Sequence, residues 1–462
     1  MSILPEAVAA GLYLFAAVCF ILALKGLSSP KTARRGNAIG AFGALVAVIT
    51  VFLSVDFEGS RLWLALLALG VGSAIAVPAA RKIAMTDMPQ LVALLNGVGG
   101  GAAAVVGLIE LAEWQGQAEF LATASTAFAV LIGSLSFAGS IVTFLKLQGL
   151  MTAKPVIMPG AAVLMVVTMV ASAAVAVLVA FTGNIGLGLV LCLLGLVSGV
   201  MMVLPVGGAD VPIVISLLNA FTGLAVAASG FAMPNTLLLV AGTLVGASGG
   251  ILTLAMANGM GRSVLNILFG ALKGGSTAGS TAESNRPVRR ATPDDVATSL
   301  AYAGKVVVVP GYGLAVAQAQ HVVQELVNSL RARGVDAFYG IHPVAGRMPG
   351  HMNVLLSEAN VPYDLLVEAD DVNSQIPSTD IVLVVGANDV VNPAARDDPK
   401  SSIYGMPIIN ADHAGQVFFL KRSMRPGFAG IENELLFNPK TQLLFGDAKE
   451  SLSAVVAALK EV

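Results

Sequence analysis

Lys305-Val-Val-Val-Val-Pro-Gly-Tyr-Gly-Leu-Ala-Val316 is the stretch on which the fold of this chain turns. The run Lys305–Pro310 is short, apolar and β-branched, which suits a strand buried on both faces of a parallel sheet. It passes directly into Gly311, Tyr312 and Gly313, and Val316–Arg333 then has a helical pattern ending at Gly334. Strand, glycine turn and helix in that order make the dinucleotide fingerprint, with its third glycine replaced by Val316. The glycines permit a tight turn and a close approach of backbone to a pyrophosphate at a helix N-terminus. The competing reading is a glycine turn in an unrelated α/β domain.

Downstream, Ala337–Ile341, Leu365–Glu368, Ile381–Val385, Pro407–Ile409 and Val417–Leu420 are further short apolar runs, and Ala448–Lys460 closes the chain as a helix. Six strands with crossover helices predict a doubly wound parallel sheet, a Rossmann-like α/β domain. An NAD site places Asp or Glu at the end of the second strand, about 20 residues on. Here the stretch reads Phe338-Tyr-Gly-Ile-His342-Pro, without a carboxylate, and Arg347 follows. Lys421, Arg422 and Ser423 end the expected sixth strand. Two cations and a hydroxyl there suit a 2′-phosphate, although a Lys-Arg pair at a strand end is often plain solvated surface. NADP is therefore favoured over NAD. Gly386-Ala-Asn-Asp389-Val follows the fourth strand; Asp389 is either a turn residue or a carboxylate facing the nicotinamide.

Upstream the chemistry changes. Residues 1–270 hold 10 Lys/Arg and 8 Asp/Glu, whereas 271–462 hold 16 and 20. The whole chain is 56% hydrophobic and 12% charged, against about 25% charged in soluble proteins. A bilayer core takes about 20 apolar residues per helix. Nine runs qualify, near 5–25, 37–55, 61–80, 88–110, 120–146, 156–182, 184–204, 210–231 and 234–258. The chain thus divides into a transmembrane domain at 1–260, a linker at 261–299 and a nucleotide-binding domain at 300–462. Residues 274–299, polar and rich in Gly and Ser at their start, have the composition of a flexible tether. Lys25, Lys31, Arg34 and Arg35, then Arg81 and Lys82, then Lys146 and Lys154, alternate with Asp56 and Glu58 and with Glu110, Glu113 and Glu119. This puts the N-terminus outside and the C-terminal domain in the cytoplasm. The first charge is Glu6, so the first run reads as a retained helix and not a signal peptide. A net charge of -2 gives no sign of nucleic-acid binding, and Cys19 and Cys192 lie in apolar runs as buried thiols. No metal-ligand spacing is present.

The membrane part contains a repeat. Asp87-Met-Pro-Gln-Leu-Val-Ala-Leu-Leu-Asn96 returns as Asp210-Val-Pro-Ile-Val-Ile-Ser-Leu-Leu-Asn219, and the match continues through Gly100/Gly223, Ala102/Ala225, Ala104/Ala227 and Gly107/Gly230. Both copies start on the cytoplasmic side, as a parallel repeat of the kind found in transporters. Asp followed two residues later by Pro starts a helix well. Nine residues on, each Asn is roughly 13 Å deeper, near the midplane, where an amide is either helix–helix glue or part of a polar path. Asp87, Asn96, Asp210 and Asn219 are the candidates for a proton pathway. All four histidines, His321, His342, His351 and His413, fall outside the membrane runs. A proton-binding group at the midplane must then come from another chain, and haem has no histidine pair to hold it.

Five segments carry a resemblance. They are Pro310-Gly-Tyr-Gly-Leu-Ala-Val-Ala-Gln-Ala-Gln320, His342-Pro-Val-Ala-Gly-Arg-Met-Pro-Gly-His-Met352, Gly386-Ala-Asn-Asp-Val-Val-Asn-Pro-Ala-Ala395, Lys421-Arg-Ser-Met424 and Leu444-Phe-Gly-Asp-Ala448. Over essentially its whole length the chain resembles the beta subunit of proton-translocating NAD(P) transhydrogenase. The resemblance implies a bacterial inner-membrane enzyme that passes hydride from NADH to NADP+ with inward proton movement. It implies NADP(H) on this chain and NAD(H) on a partner alpha subunit bearing additional membrane helices, in a dimer of heteromers. No side chain of this chain would act as a catalytic acid or base. Beside the fingerprint candidates Gly311, Gly313 and Val316, the resemblance places nucleotide contacts position by position at Tyr312; at Val344, Ala345, Gly346, Arg347, Met348 and Pro349; and at Gly386, Ala387, Asn388, Asp389 and Val390. Gly405 and Met406 follow, then Lys421, Arg422, Ser423, Met424, Gly427, Phe428 and Ala429, and lastly Asp447 and Ala448. Asp397–Met406 would form a lid, and the nucleotide would lie across the sheet in reversed orientation. One departure is Asn96, where family members often carry histidine. A rival reading needs only the fold and the tether: an NADP(H)-sensing regulatory subunit of a membrane channel or transporter without turnover.

Overall fold

A computed structural model of the chain describes residues 4–54, 61–114, 116–152, 156, 160–206, 210–259, 263–269, 286–346, 350–399, 401, 403–427 and 429–462. Asp56, Glu58 and Lys154, used above to orient the helices, lie outside these. Two compact units are present: Met1–Ala84 with Gln90–Pro205 and Val214–Thr253, and Met85–Pro89 with Val206–Ile213 and Leu254–Val462.

Among the described residues, nine helices are long and apolar enough to cross a membrane. They are α1 (Glu6–Leu27), α2 (Pro30–Ser54), α3 (Arg61–Lys82), α4 (Met88–Trp114), α5 (Phe120–Leu147), α6 (Ala161–Thr182), α7 (Ile185–Val203), α8 (Val211–Ala232) and α9 (Thr236–Gly259). Each answers to one expected run. α2 starts seven residues before its apolar stretch, because hydropathy marks only the part facing lipid while the backbone ladder continues into the basic segment.

Lipid tails are as apolar as leucine, so membrane helices associate through close packing and small residues. On α7, a Cβ at Gly195 would stand 2.0 Å from Ser134 Oγ of α5, and one at Gly199 would stand 2.2 Å from Leu135 O. A Cβ at Gly223 of α8 would stand 2.3 Å from Gly246 N of α9, and one at Gly242 of α9 would stand 2.3 Å from Ala227 N of α8. The backbones of these pairs therefore touch. The buried ammonium of Lys146 donates to the last carbonyls of α7, Val203 O at 3.1 Å and Leu204 O at 2.6 Å. Val156 N also donates to Leu204 O at 3.0 Å, so the ammonium and this amide together finish the helix end.

In the second unit, α10 (Val264–Phe269) and α11 (Pro293–Ala301) precede β1 (Lys305–Pro310), α12 (Tyr312–Val316), α13 (Gln320–Ala332) and β2 (Asp336–Ile341). Then come α14 (His351–Glu358), β3 (Leu366–Glu368), α15 (Ala369–Gln375), β4 (Ile381–Val385), α16 (Ala394–Asp397), β5 (Gln416–Lys421), β6 (Thr441–Phe445) and α17 (Ala448–Glu461). The strands form one parallel sheet in the order β3-β2-β1-β4-β5-β6. That is the doubly wound arrangement expected from the sequence. Val306–Val309 and Ile381–Val385 are buried throughout, as central strands covered on both faces must be.

Three details differ from the sequence reading. Pro407–Ile409 is not a strand; Ile408 packs in a small cluster with Ala395, Ile403 and Met406. The sixth strand is Thr441–Phe445, so Lys421 ends the fifth. The helix expected over Val316–Arg333 is broken at Ala317–Ala319, where Gln318 takes a left-handed φ of 50°. Only α13 carries the helical repeat of buried positions (Gln320, Val323, Gln324, Val327, Leu330). In addition, the sheet domain begins upstream of residue 300. Thr292 and Asp295 form a capping box that opens α11, whose Val296, Ala297 and Leu300 join the domain core.

The contact between α8 and α9 yields a test. Gly223→Leu should lower the stability of the detergent-solubilised chain by about 1–3 kcal/mol or more, read as a fall in its thermal midpoint. Gly250→Leu, whose Cβ meets nothing within 4 Å, should leave the midpoint near wild type.

Candidate functional site

The strand order changes direction between β1 and β4, and open α/β sheets bind ligands outside the carboxyl ends of their strands at such a point. Two loops meet there without side chains between them. Gly311 N donates to Val385 O and Gly313 N to Gly386 O, each at 2.9 Å. A Cβ on Gly311 would stand 2.4 Å from Ala387 Cα, and one on Gly313 would stand 2.7 Å from Gly386 Cα. Gly386 has a φ of +70°, and its own Cβ would meet Leu314 N at 2.2 Å. The loop after β4 thus occupies the place that a Cβ would take at Gly311 and Gly313. Val316 is exposed and stands outside this interlock. α12 spans only five residues.

A hydrogen-bonded cluster lies beside the interlock, at the ends of β4 and β5. Lys421 Nζ donates to Asn388 Oδ1 at 3.3 Å and to Arg425 O at 2.9 Å. Asn388 Nδ2 donates to Asp389 Oδ1 at 2.9 Å, and Asp389 Oδ2 accepts from Ala429 N at 2.9 Å. Gly427 leaves no space for a side chain, since a Cβ there would stand 2.4 Å from Asn388 Nδ2. Burial pulls the Lys421 ammonium below its ordinary value, and the nearby Asp389 charge opposes that. Asp389 thus links the loop after β4 to the loop after β5. Arg422 is exposed, while Ser423 and Met424 are half-buried. Gly446 N donates to Lys421 O at 3.1 Å. That bond brings Asp447, which caps α17 by accepting from Lys449 N at 2.9 Å, and Ala448 to the end of β5.

Val344, Ala345 and Gly346 form the turn after β2. His342, at the end of that strand, is buried. Its Nδ1 accepts from Val344 N at 3.3 Å, which leaves Nε2 as the protonated nitrogen donating to Pro407 O at 2.8 Å. Burial holds its pKa below the ordinary value, against the opposing pull of the Pro407 carbonyl and Asp370. The Tyr312 ring stands edge-on to buried His351, with centroids 5.9 Å apart. Gly405 N donates to Ala395 O at 2.8 Å, and Met406 packs in the cluster that Ala429 also touches. Arg347, Met348, Pro349 and Phe428, together with Lys400 and Ser402 of the expected lid, lie outside the described residues. Among the described residues, no group of three His, Cys, Asp or Glu could hold a metal ion.

Two buried amides escaped the sequence reading. Asn392 Nδ2 donates to Glu432 O at 3.0 Å, and Asn433 Nδ2 donates to Asn388 O at 2.8 Å. Both join the loops after β4 and β5. Their only signal is an asparagine beside apolar residues in a loop, which spacing does not distinguish from a turn.

In the membrane part, Asp87 and Asp210 stand immediately before α4 and α8. The two repeat helices touch at their polar positions. Asn96 Nδ2 donates to Ile215 O at 3.2 Å, and Thr222 Oγ1 donates to Asn96 O at 3.0 Å. Ser136 Oγ lies 2.7 Å from Thr222 Oγ1 and donates to Leu218 O at 3.0 Å. Asn96 is thus hydrogen-bonded to α8 through both its side chain and its backbone carbonyl. Asn219 is half-buried, and its side chain has no hydrogen-bond partner among the described residues. The symmetry of the sequence repeat is not kept in the bonding.

A family model described as NAD(P) transhydrogenase beta subunit matches residues 9–458. The chain belongs to that family. A relative from Rhodospirillum rubrum named NAD(P) transhydrogenase subunit beta is 43% identical over 456 residues, covering 97% of this chain and 98% of its own. A second relative of the same name, from a designated strain of that organism, matches to the same extent. Family membership carries use of a pyridine nucleotide, and a beta subunit implies an alpha partner. The nine apolar helices make this a membrane protein.

His342 gives a pH test of the site's framework. Its folded pKa lies below the ordinary 6.5, so the unfolded chain binds a proton first as the medium is acidified. The stability His342 contributes is complete above 6.5 and is lost as pH falls toward the folded value. Melting of the detergent-solubilised chain at pH 7.5 and 5.5 should show this loss. His342→Gln should reduce the difference between the two pH values while lowering stability at pH 7.5.

Proposed function

We propose that this chain is the NADP(H)-binding, membrane-spanning subunit of a transhydrogenase that moves hydride from NADH to NADP+ with inward proton translocation. The observation that carries the reading is the charge arrangement at the strand ends. β2 finishes in Ile341 and buried His342, with no carboxylate to meet a ribose 2′-hydroxyl, whereas β5 finishes in Lys421, Arg422 and Ser423.

The residues present fit such a dinucleotide. Asn388 and the Arg425 carbonyl hold Lys421 Nζ at the carboxyl end of the sheet, and exposed Arg422 adds a second cation with a planar fork of donors. Together with the Ser423 hydroxyl they would take a 2′-phosphate. Tyr312, the Val344–Gly346 turn with Arg347, Met348 and Pro349, the Gly386–Val390 loop, Gly405, Met406, Gly427 to Ala429 and Asp447-Ala448 would surround the rest. The filled space beside Gly311 and Gly313 favours a nucleotide in reversed orientation, with its adenosine phosphate on the β5 side of the switch point. When bound, NADP(H) would supply the hydride chemistry itself. This chain's part is to fix position and keep out water, and no acid or base is needed from it. NAD(H) would belong to the alpha subunit, and activity would need both chains in a dimer of heteromers in the bacterial inner membrane.

Proton coupling, on this reading, is an exchange of binding free energy between the helix bundle and the nucleotide domain. Asn96, Asn219, Asp87 and Asp210 would line the path, and a helix of the partner would bring the group that holds the proton.

Two measurements test this. The full-length chain should bind NADPH in preference to NADH, and Lys421→Gln with Arg422→Gln should reduce that preference at least about tenfold. Equal binding of both nucleotides by the wild type would end the assignment. In sealed vesicles, the assembled complex should acidify or alkalinise the lumen during turnover and speed up when an uncoupler is added. Turnover with no pH change and no response to uncoupler would remove the coupling claim.

A further inference from the structure

Arg286–Ala291 runs along the outer margin of β6. Leu443 N donates to Arg289 O and Ala291 N to Leu443 O, each at 2.9 Å, and Arg290 pairs in parallel with Leu443. Arg286 then reaches back toward the loop after β5. Its Nη1 donates to Glu434 Oε1 at 2.9 Å and to Oε2 at 3.1 Å, and its Nη2 donates to Oε2 at 3.1 Å. Glu432 is 3.7 Å away, and the guanidinium lies 3.9 Å from the Phe437 ring centroid.

Between the two glutamates stands Asn433, 1% exposed. Its Oδ1 accepts from Leu435 N at 3.0 Å, and its Nδ2 donates to Asn388 O at 2.8 Å. From the opposite side Asn392 Nδ2 donates to Glu432 O at 3.0 Å. Asn388, whose carbonyl Asn433 holds, accepts the Lys421 ammonium on its own side chain. A buried amide with donor and acceptor both engaged has one favourable orientation, and losing its donor leaves the Asn388 carbonyl unpaired away from water.

We propose that Asn433 is a positioning residue for the Asn388–Lys421 cluster, and that Arg286 ties it to the segment by which the chain enters the sheet domain. A shift of that segment is then felt at the cations that end β5. The inference rests on the nucleotide reading of Lys421. Arg286 and Glu434 are exposed, so their ion pair is individually weak and acts on orientation. Asn433 carries the larger effect.

The test uses the complex with its alpha subunit, with KM measured separately for NADP(H) and NAD(H). Asn433→Asp keeps the shape and removes the donor; it should raise KM for NADP(H) at least about fivefold and leave KM for NAD(H) within about twofold. Arg286→Ala should raise KM for NADP(H) about two- to threefold, and the exchange R286E/E434R should bring it back. A merely structural role would move both constants together, or neither, and would overturn the proposal. If Asn433→Asp fails to assemble, Arg286→Ala and the exchange decide alone, and an unchanged KM for NADP(H) in Arg286→Ala overturns it. Lys421→Gln is run alongside. A silent Lys421→Gln sinks the nucleotide reading and this inference with it, whereas an effective Lys421→Gln beside a silent Asn433→Asp sinks this inference alone.

Discussion

The contact of bare backbone on bare backbone at the ends of β1 and β4 is the constraint on which the sheet domain depends. Gly311 and Gly313 have no Cβ because Gly386 and Ala387 occupy its place, and Gly386 takes a left-handed φ because any side chain would strike Leu314 N. Removing three side chains lets the two loops close at the point where the strand order reverses. Asn388, Asp389 and the residues following β5 lie beside this closure.

The stitches between the loops follow the same logic. A loop at a strand end leaves amides and carbonyls without ladder partners. Here Asp389, Asn392 and Asn433 supply them across the gap, to Ala429 N, Glu432 O and Asn388 O. In the membrane part Asn96, Thr222 and Ser136 add bonds between helices at carbonyls inside them, and only Lys146 serves a helix end, that of α7.

Much of this is legible in the residues alone. Nine apolar runs become nine helices among the described residues, because length and hydropathy are sufficient to specify a membrane helix. The order strand, glycine turn, helix and the buried valine runs lead to the parallel sheet. Pro407–Ile409 reads as a strand from its residues, whereas the true sixth strand, Thr441–Phe445, does not stand out. A short apolar run is equally at home in a strand or a buried loop, and Gln442 interrupts the true edge strand while Ile408 and Ile409 look like one. The glycines were legible as glycines, but not what fills the space beside them, since a close approach has no sequence partner to announce it. For the same reason the repeat predicts two matched asparagines, although their surroundings, and so their bonds, differ.

The strap of Arg286–Ala291 beside β6 also bears on how the domain behaves among other copies of itself. An open sheet has two margins whose unpaired amides and carbonyls invite another strand. Here one margin, β3, is only three residues long, and the other is partly covered by the chain's own preceding segment, studded with arginines. Among the described residues the sheet therefore exposes no long, flat, uncharged rim, and polymerisation through strand addition is disfavoured even where many copies crowd one patch of bilayer.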